Sequence, residues 1–210
     1  MIFIEEHFNF IEKNMSREAQ INRKTKETDI SVKVNLDGSG QRSIETGIPF
    51  FDHMLDHFAR HSMIDMDVKA VGDVTIDGHH TVEDVGLALG KALLKALGDK
   101  RGITRYGFAS VPMNEALVEV SIDISGRPFC VFDSVSLEGK VGEFDVELAE
   151  EFLRAFSNNA AITTHVSVKR GTNMHHILEA TFKSLARALG QAIMPDLRLQ
   201  DDIPSTKEVL

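Results

Sequence analysis

The sequence predicts an internally duplicated α+β fold, two β-sheet/helix halves packed against each other through their helices. Two runs of residues carry that prediction. His79-His80-Thr81-Val82-Glu83 and His175-His176-Ile177-Leu178-Glu179 spell the same His-His-x-x-Glu pattern, and each opens an apolar stretch of helical period. HHTVEDVGLALGKALLKALG and HHILEATFKSLARALGQAI also carry Ala-Leu-Gly-like endings in register, so the likeness extends over whole helices. Period-two segments precede both runs, and strands segregated from long helices favour sheets covered by helices on one face.

The elements follow in order. Thr28 to Val34 alternates as a half-buried strand, and Asp37-Gly38-Ser39-Gly40 supplies turn chemistry before Gln41 to Thr46, so these two runs are expected to form a hairpin. From Ile48 to Ser62 the residues Phe50, Phe51, Met54, Leu55 and Phe58 recur at helical spacing, with Pro49 in the first turn, where its missing N–H does no harm. Ile64 to Val71 returns to period two, Asp77-Gly78 turns the chain, and His80 to Leu97 carries Val82, Val85, Leu89, Leu93 and Leu97 along one side up to Gly98. In the second half Ala116 to Ile124 alternates, Arg127 to Val135 reads as its neighbouring strand, Val146 to Phe156 as a helix and Ile162 to Val168 as a strand. The helix opened by the second doublet has Ile177, Phe182, Leu185 and Leu189 on its apolar side before Gly190 and Pro195. Met15-Ser16-Arg17-Glu18 reads like a second start, which makes residues 1–14 a candidate N-terminal extension. Residues 15–108 and 109–210 are the expected halves, and with no Gly/Ser linker between them they are expected to fold together as one compact unit.

A chain of 210 residues, 42% hydrophobic and 26% charged, has the composition of a soluble globular protein with a sizeable core. Its net charge of −9 argues against a broad nucleic-acid or anionic-membrane surface, while leaving room for a local basic pocket that takes one phosphate. Cys130 is the single cysteine, so no internal disulfide forms and a cytoplasmic location is expected. No apolar segment is long enough to span a membrane, and the N-terminal residues lack the basic start and cleavage site of a signal peptide.

Imidazole and carboxylate together suit divalent transition ions. Adjacent residues on a helix diverge by about 100°, so His79 and His80 serve different ions, whereas Glu83 can share one with the histidine three or four positions before it. Each doublet is therefore expected to serve two metals. A lone histidine is ordinarily a surface or satisfied core residue, and it is the repetition that argues for ligation. The His-Glu-x-x-His of zinc proteases is absent. His53, His57 and His61 form a stripe at i, i+4 and i+8 beside Asp52, Asp56 and Arg60; one or two could reach a metal or substrate, and a solvated polar face is the plain alternative, above all for His57. Arg105, Arg127, Lys183 and Lys207 are individually weak signals of a phosphate site, and Lys183, one turn after Glu179, suits an ordinary helix ion pair equally well.

At these residues the chain closely resembles the imidazoleglycerol-phosphate dehydratases of histidine biosynthesis. The likeness runs from about Arg17 to Leu210 through KTKETDI, TGIPFFDHML, HHTVEDVGLALGKAL, DISGRPF, HHILEATFKSLARAL and IPSTKEVL. It implies two Mn2+ per active site, with His53, His80, Glu83 and His176 on one ion and His79, His175 and Glu179 on the other. Glu151, in Glu150-Glu151-Phe152-Leu153, stands where some members have a further histidine ligand, and His165 is the second candidate for that place. The resemblance implies that Glu27 is the catalytic acid/base and contacts substrate, and that His61, Arg105, Arg127, Lys183, Ser205 and Lys207 are substrate contacts, the basic ones holding the phosphate. It further implies a homo-oligomer, a 24-mer with sites shared between subunits. The implied reaction turns D-erythro-imidazoleglycerol phosphate into imidazole acetol phosphate and water through a dimetal-bound imidazolate, with the ions farther apart than the roughly 3.5–4 Å of a hydrolytic pair. Two other readings stand beside it: a metal-binding or storage assembly, which needs neither Glu27 nor phosphate donors, and a metal-dependent hydrolase with a close metal pair.

Overall fold

In the computed structural model, which describes residues 17–133, 137–200 and 202–210, the two halves repeat one topology. The first comprises β1 (Glu18–Lys24), β2 (Thr28–Asn35), β3 (Arg42–Glu45), α1 (Pro49–Ser62), β4 (Asp65–Gly72) and α2 (His79–Leu97). The second comprises β5 (Tyr106–Met113), β6 (Ala116–Asp123), β7 (Phe129–Asp133), a short ribbon of β8 (Lys140–Val141) and β9 (Phe144–Asp145), α3 (Leu148–Ala160), β10 (Thr163–Arg170) and α4 (Met174–Ala192). Sheet orders are β1-β2-β4-β3 and β5-β6-β10-β7. In each, the last strand of the half inserts antiparallel to the second and parallel to the third. The expected extension 1–14, and the end of the strand expected to run to Val135, lie outside the described residues.

Two expected pairings are corrected. Gln41–Thr46 does not form a hairpin with Thr28–Val34, because β4 lies between them. The Asp65 carboxylate accepts from the backbone N–H of Ser39 and of Gln41, each at 2.8 Å, and so carries the turn past β4 to its far edge. The pattern of β4, which buries Met66, Val68 and Ala70, suits a central strand, whereas β3 half-buries only Ile44. Likewise β7 is not the neighbour of β6, since β10 separates them. Strands β1 and β5 escape a period-two reading for local reasons. The first is an edge strand that buries only Ala19, and the second carries Gly107 and Pro112, which an edge tolerates.

Burial of one face of each sheet requires a cover, and the long helices supply it: α2 lies on the first sheet and α4 on the second. The other two helices cross over, so that α1 packs beside α4 and α3 beside α2. Each pair runs in the same direction. Phe50, in the first turn of α1, meets the His175 ring at 5.3 Å, while Ser62 at its far end meets Gly190 of α4. Between α2 and α3 the approach is closest at Gly86 and Gly90, where an added Cβ would stand 3.0 Å from Phe152 O and 2.5 Å from Phe156 O. Aromatic contacts Phe51–Phe152 (5.5 Å), Phe58–Phe156 (5.7 Å) and Phe152–Phe182 (5.2 Å) join the pairs into one layer between the sheets. The doublets thus open helices whose apolar faces make a single core.

Alanine in place of glycine within a helix ordinarily stabilises by about 1 kcal/mol. Gly90→Ala is expected to do the reverse, lowering unfolding free energy by roughly 1–3 kcal/mol through forced helix separation, as read from urea denaturation.

Candidate metal centre

The seam between α1 and α4 carries the most concentrated chemistry. Turns of α1 aim His53, His57 and His61 at α4, where Glu179 is 5% exposed. Its carboxylate is divided. Oε2 lies 3.3 Å from His53 Nε2 and 3.1 Å from His175 Nε2, whereas Oε1 accepts from Lys183 Nζ at 2.5 Å. His57 Nε2 also comes within 3.3 Å of Oε1, without hydrogen-bond alignment, and has no other partner among the described residues. Burial pushes the Glu179 carboxyl up, but Lys183, His57 and His175 outweigh it and hold it at about 2. The group is therefore an anion at any physiological pH. Burial, with Lys183 adding to it, lowers His57 and His61 against the attraction of Glu179, which favours neutral imidazoles at neutral pH.

Donor atoms of His53, His175 and Glu179 lie within 4.8 Å of one another. The contacts at 3.1 and 3.3 Å approach the edge of about 3 Å that bonds of roughly 2.1 Å give in an octahedral set. Two imidazoles and one carboxylate are donors for manganese, iron, cobalt or zinc, so the residues present fit a divalent transition ion.

The two doublets repeat in three dimensions. Rings of His79 and His80 stand 6.2 Å apart at 89°, and those of His175 and His176 6.2 Å apart at 84°. In each, the first histidine points along its helix to the glutamate four residues on, at 4.0 Å for His79–Glu83 and 3.1 Å for His175–Glu179. The second turns away to a carboxylate from a loop. His80 Nδ1 pairs with Asp73 Oδ2 at 2.9 Å, and His176 Nδ1 with Glu115 Oε2 at 2.7 Å. Asp73 follows β4, and Glu115 sits at the β5–β6 turn, where its Oε1 also accepts from the N–H groups of Thr172 and Asn173. Those bonds, that from Asn173 first and then that from His176, hold Glu115 at about 2. Hydrogen bonding to Asp73 raises His80 above its ordinary value, with Glu27 contributing at longer range.

Glu27 occupies the exposed turn between β1 and β2. That turn is tied down by Asp84, 8% exposed, which accepts from Thr28 Oγ1 at 2.6 Å and from Arg23 Nε at 2.9 Å. Asp84 follows Glu83 directly, so one stretch of α2 both presents a candidate ligand and anchors the hairpin of the candidate base. Among the described residues no hydrogen bond, ion pair or ring contact joins His79, His80 and Glu83 to His53, His175 and Glu179. The grouping within one chain also differs from the one implied by resemblance: His53 sits with His175 and Glu179, apart from His80, Glu83 and His176.

The basic residues form two groups. Lys183 is engaged by Glu179, near His61 and Arg187. Arg105 grips Asp123 with Nε at 2.7 Å and Nη2 at 3.3 Å, donates through Nη1 to Pro204 O at 2.7 Å, and lies 4.7 Å from the centre of the Tyr106 ring. These contacts hold Arg105 in the left-handed region at φ 73 and fix the tail that carries Ser205 and Lys207. Ser205 Oγ accepts from Lys207 N, and Lys207 and Arg127 are exposed. Glu151 is half-buried in the first turn of α3, with no hydrogen bond or ion pair to the candidate ligands among the described residues. His165 is exposed on β10, its ring 6.4 Å from that of Phe129. Sequence reasoning missed Asp73, Asp84 and Glu115. Asp84, in a helix otherwise apolar on that side, was the one visible signal; the other two are single carboxylates in turns, joined to histidines only by the sheet register. No helix among the described residues is long and apolar enough to cross a membrane.

Fold and site together define a duplicated α+β protein with a histidine–carboxylate cluster suited to a divalent ion. A family model described as imidazoleglycerol-phosphate dehydratase matches residues 46–189. Curated proteins of that description from Symbiobacterium thermophilum and Ruegeria pomeroyi are each 56% identical over 194 residues, 92% of this chain, and are themselves covered to 93% and 100%. The solved imidazoleglycerol-phosphate dehydratase of Staphylococcus aureus superposes with a TM-score of 0.78 at 40% identity, covering 85% of this chain and 99% of that one. The Pyrococcus furiosus structure gives 0.78 at 37% identity, covering 90% and 100%. The chain belongs to the imidazoleglycerol-phosphate dehydratase family, and it is an enzyme of the hydro-lyase class.

Replacing Asp84 by Ala should lower unfolding free energy by roughly 1–3 kcal/mol, since it removes the acceptor of both the buried Thr28 hydroxyl, which keeps only the Thr25 hydroxyl at 3.2 Å, and the Arg23 guanidinium. Guanidinium titration of the variant beside the wild type reads it, and an unchanged midpoint would contradict the anchoring role.

Proposed function

We propose that this chain removes water from D-erythro-imidazoleglycerol phosphate to give imidazole acetol phosphate, at a site that takes two divalent ions, manganese by preference. The divided carboxylate of Glu179, with one oxygen toward two imidazoles and the other on a lysine, is the observation that most supports it. The proposed grouping follows the geometry of the doublets. His53, His175 and Glu179 hold one ion, and His79 and Glu83 hold the other. His80 and His176, turned away from their own glutamates, then reach ions completed by neighbouring copies, with Glu151 as the remaining donor on the second ion. Separation of the two sets within one chain supports a site shared between subunits; the proposal places that site in a 24-subunit cytoplasmic assembly.

When bound, divalent ions held by His53, His175 and Glu179 and by His79 and Glu83 would supply Lewis acidity toward the imidazole ring of the substrate. The rest falls to the residues of the chain. Glu27, on a turn braced by Asp84, takes the C2 proton of the substrate once the side-chain hydroxyl has left, and the resulting enol tautomerises to the ketone. Lys207, Arg127 and Ser205 bind the phosphate, Arg105 contributes chiefly by fixing the tail that bears two of them, and His61 and Lys183 orient the substrate over the α1–α4 seam.

Two measurements test the reading. Glu27→Gln should reduce turnover at least about 100-fold while leaving Mn2+ uptake unchanged; retained turnover would remove Glu27 from its role. Stripping metal with a chelator should abolish water loss, and Mn2+ should restore it. Full activity of rigorously metal-free protein would sink the metal-dependent reading, and metal uptake without any turnover would favour a storage assembly instead.

A further inference from the structure

Glu115 and Glu27 occupy equivalent places in the duplication, each in the turn joining the first two strands of its half, yet they are used differently. In the second half the turn carboxylate itself binds the doublet, with Glu115 Oε2 2.7 Å from His176 Nδ1. In the first half Asp73, from the loop after β4, makes the corresponding bond at 2.9 Å to His80 Nδ1. The carboxylate of Glu27 makes no hydrogen bond or ion pair among the described residues, although it lies near enough to influence His80.

We propose that Asp73 and Glu115 are positioning residues for the metal site, each holding the Nδ1–H of the second histidine of a doublet so that its Nε2 lone pair is left for ligation, that of His176 meeting only the Asn114 amide, at 3.4 Å, which an ion would displace. A ligating imidazole needs one nitrogen free and its tautomer fixed, and a carboxylate on the other nitrogen does both while raising ligand basicity. The bonds are short, and they recur on the same ring atom in both halves although the carboxylates come from unrelated loops. A chance pair of surface contacts has no reason to repeat in that way. Glu115 is further held by two backbone N–H groups at the entrance to α4, so its oxygen is directed before any ion arrives.

The inference rests on the metal-dependent reading above, and a Mn2+ titration of the full assembled chain separates the two. Free Mn2+ is followed by electron paramagnetic resonance after chelator treatment and dialysis. Asp73→Ala and Glu115→Ala should each weaken Mn2+ binding about 10- to 100-fold, and Asp73→Asn and Glu115→Gln, which keep an accepting oxygen without its charge, should fall between them and the wild type. The melting temperature of the metal-free protein should be unchanged in the Asn and Gln variants while its rise on adding Mn2+ shrinks, a split that a merely structural role would not produce. Wild-type affinity in all four variants overturns the inference and leaves the metal site standing. Absence of Mn2+ uptake by the wild type overturns both. Should either alanine variant fail to fold, the same comparison on its Asn or Gln counterpart decides.

Discussion

Crossing of the helices between halves is the constraint on which the remaining structure depends. Each sheet keeps its own long helix, but the shorter helix of each half packs on the long helix of the other. Glycines 86 and 90 let α2 and α3 approach until backbone meets backbone, and phenylalanines fill the layer around them. Without that crossing His53 would have no Glu179 to face, because the two belong to different halves and lie 126 positions apart in the chain. Packing energy and site geometry are therefore the same contact seen from two sides: apolar residues of α1 and α4 bury inward while their histidine stripe lies along the seam.

Electrostatics refine what packing brings together. A carboxylate as buried as Glu179 stays ionised only because a lysine and imidazoles surround it. Its two oxygens then take separate tasks, and a lysine that resembles a substrate contact is also what keeps the anion charged. Arg105 shows the same economy at the tail, where one guanidinium joins β6, the Tyr106 ring and the segment bearing Ser205 and Lys207. Basic residues in this acidic chain serve as braces.

Helices and doublets are legible in the sequence because their information is local. Apolar spacing and the His-His-x-x-Glu repeat lie within single elements, and the four helices among the described residues fall where the pattern puts them. Strand order is not local. Nothing in Gln41–Thr46 says that Met66 and Val68 will stand between it and Val32, since the decision is made by Asp65 capturing the turn. The edge strands β1 and β5 are obscured by polar residues in one and by Gly107 and Pro112 in the other. For the site, residue types pointed to candidate ligands, but which histidine goes with which glutamate depends on the turn of each ring and on a seam between distant helices. Asp73 and Glu115 are invisible for the same reason, being ordinary loop carboxylates until the sheets are folded.

The repeated topology has an evolutionary corollary. Two copies of one βββαβα unit, associated face to face through exchanged helices, have the form of an isologous pair in which a covalent tether has made association unimolecular. Separate identical copies would carry every substitution twice. A fused pair carries no such restriction, and here the twins differ: one turn glutamate braces a histidine, while its counterpart keeps a carboxylate without a hydrogen bond or ion pair among the described residues.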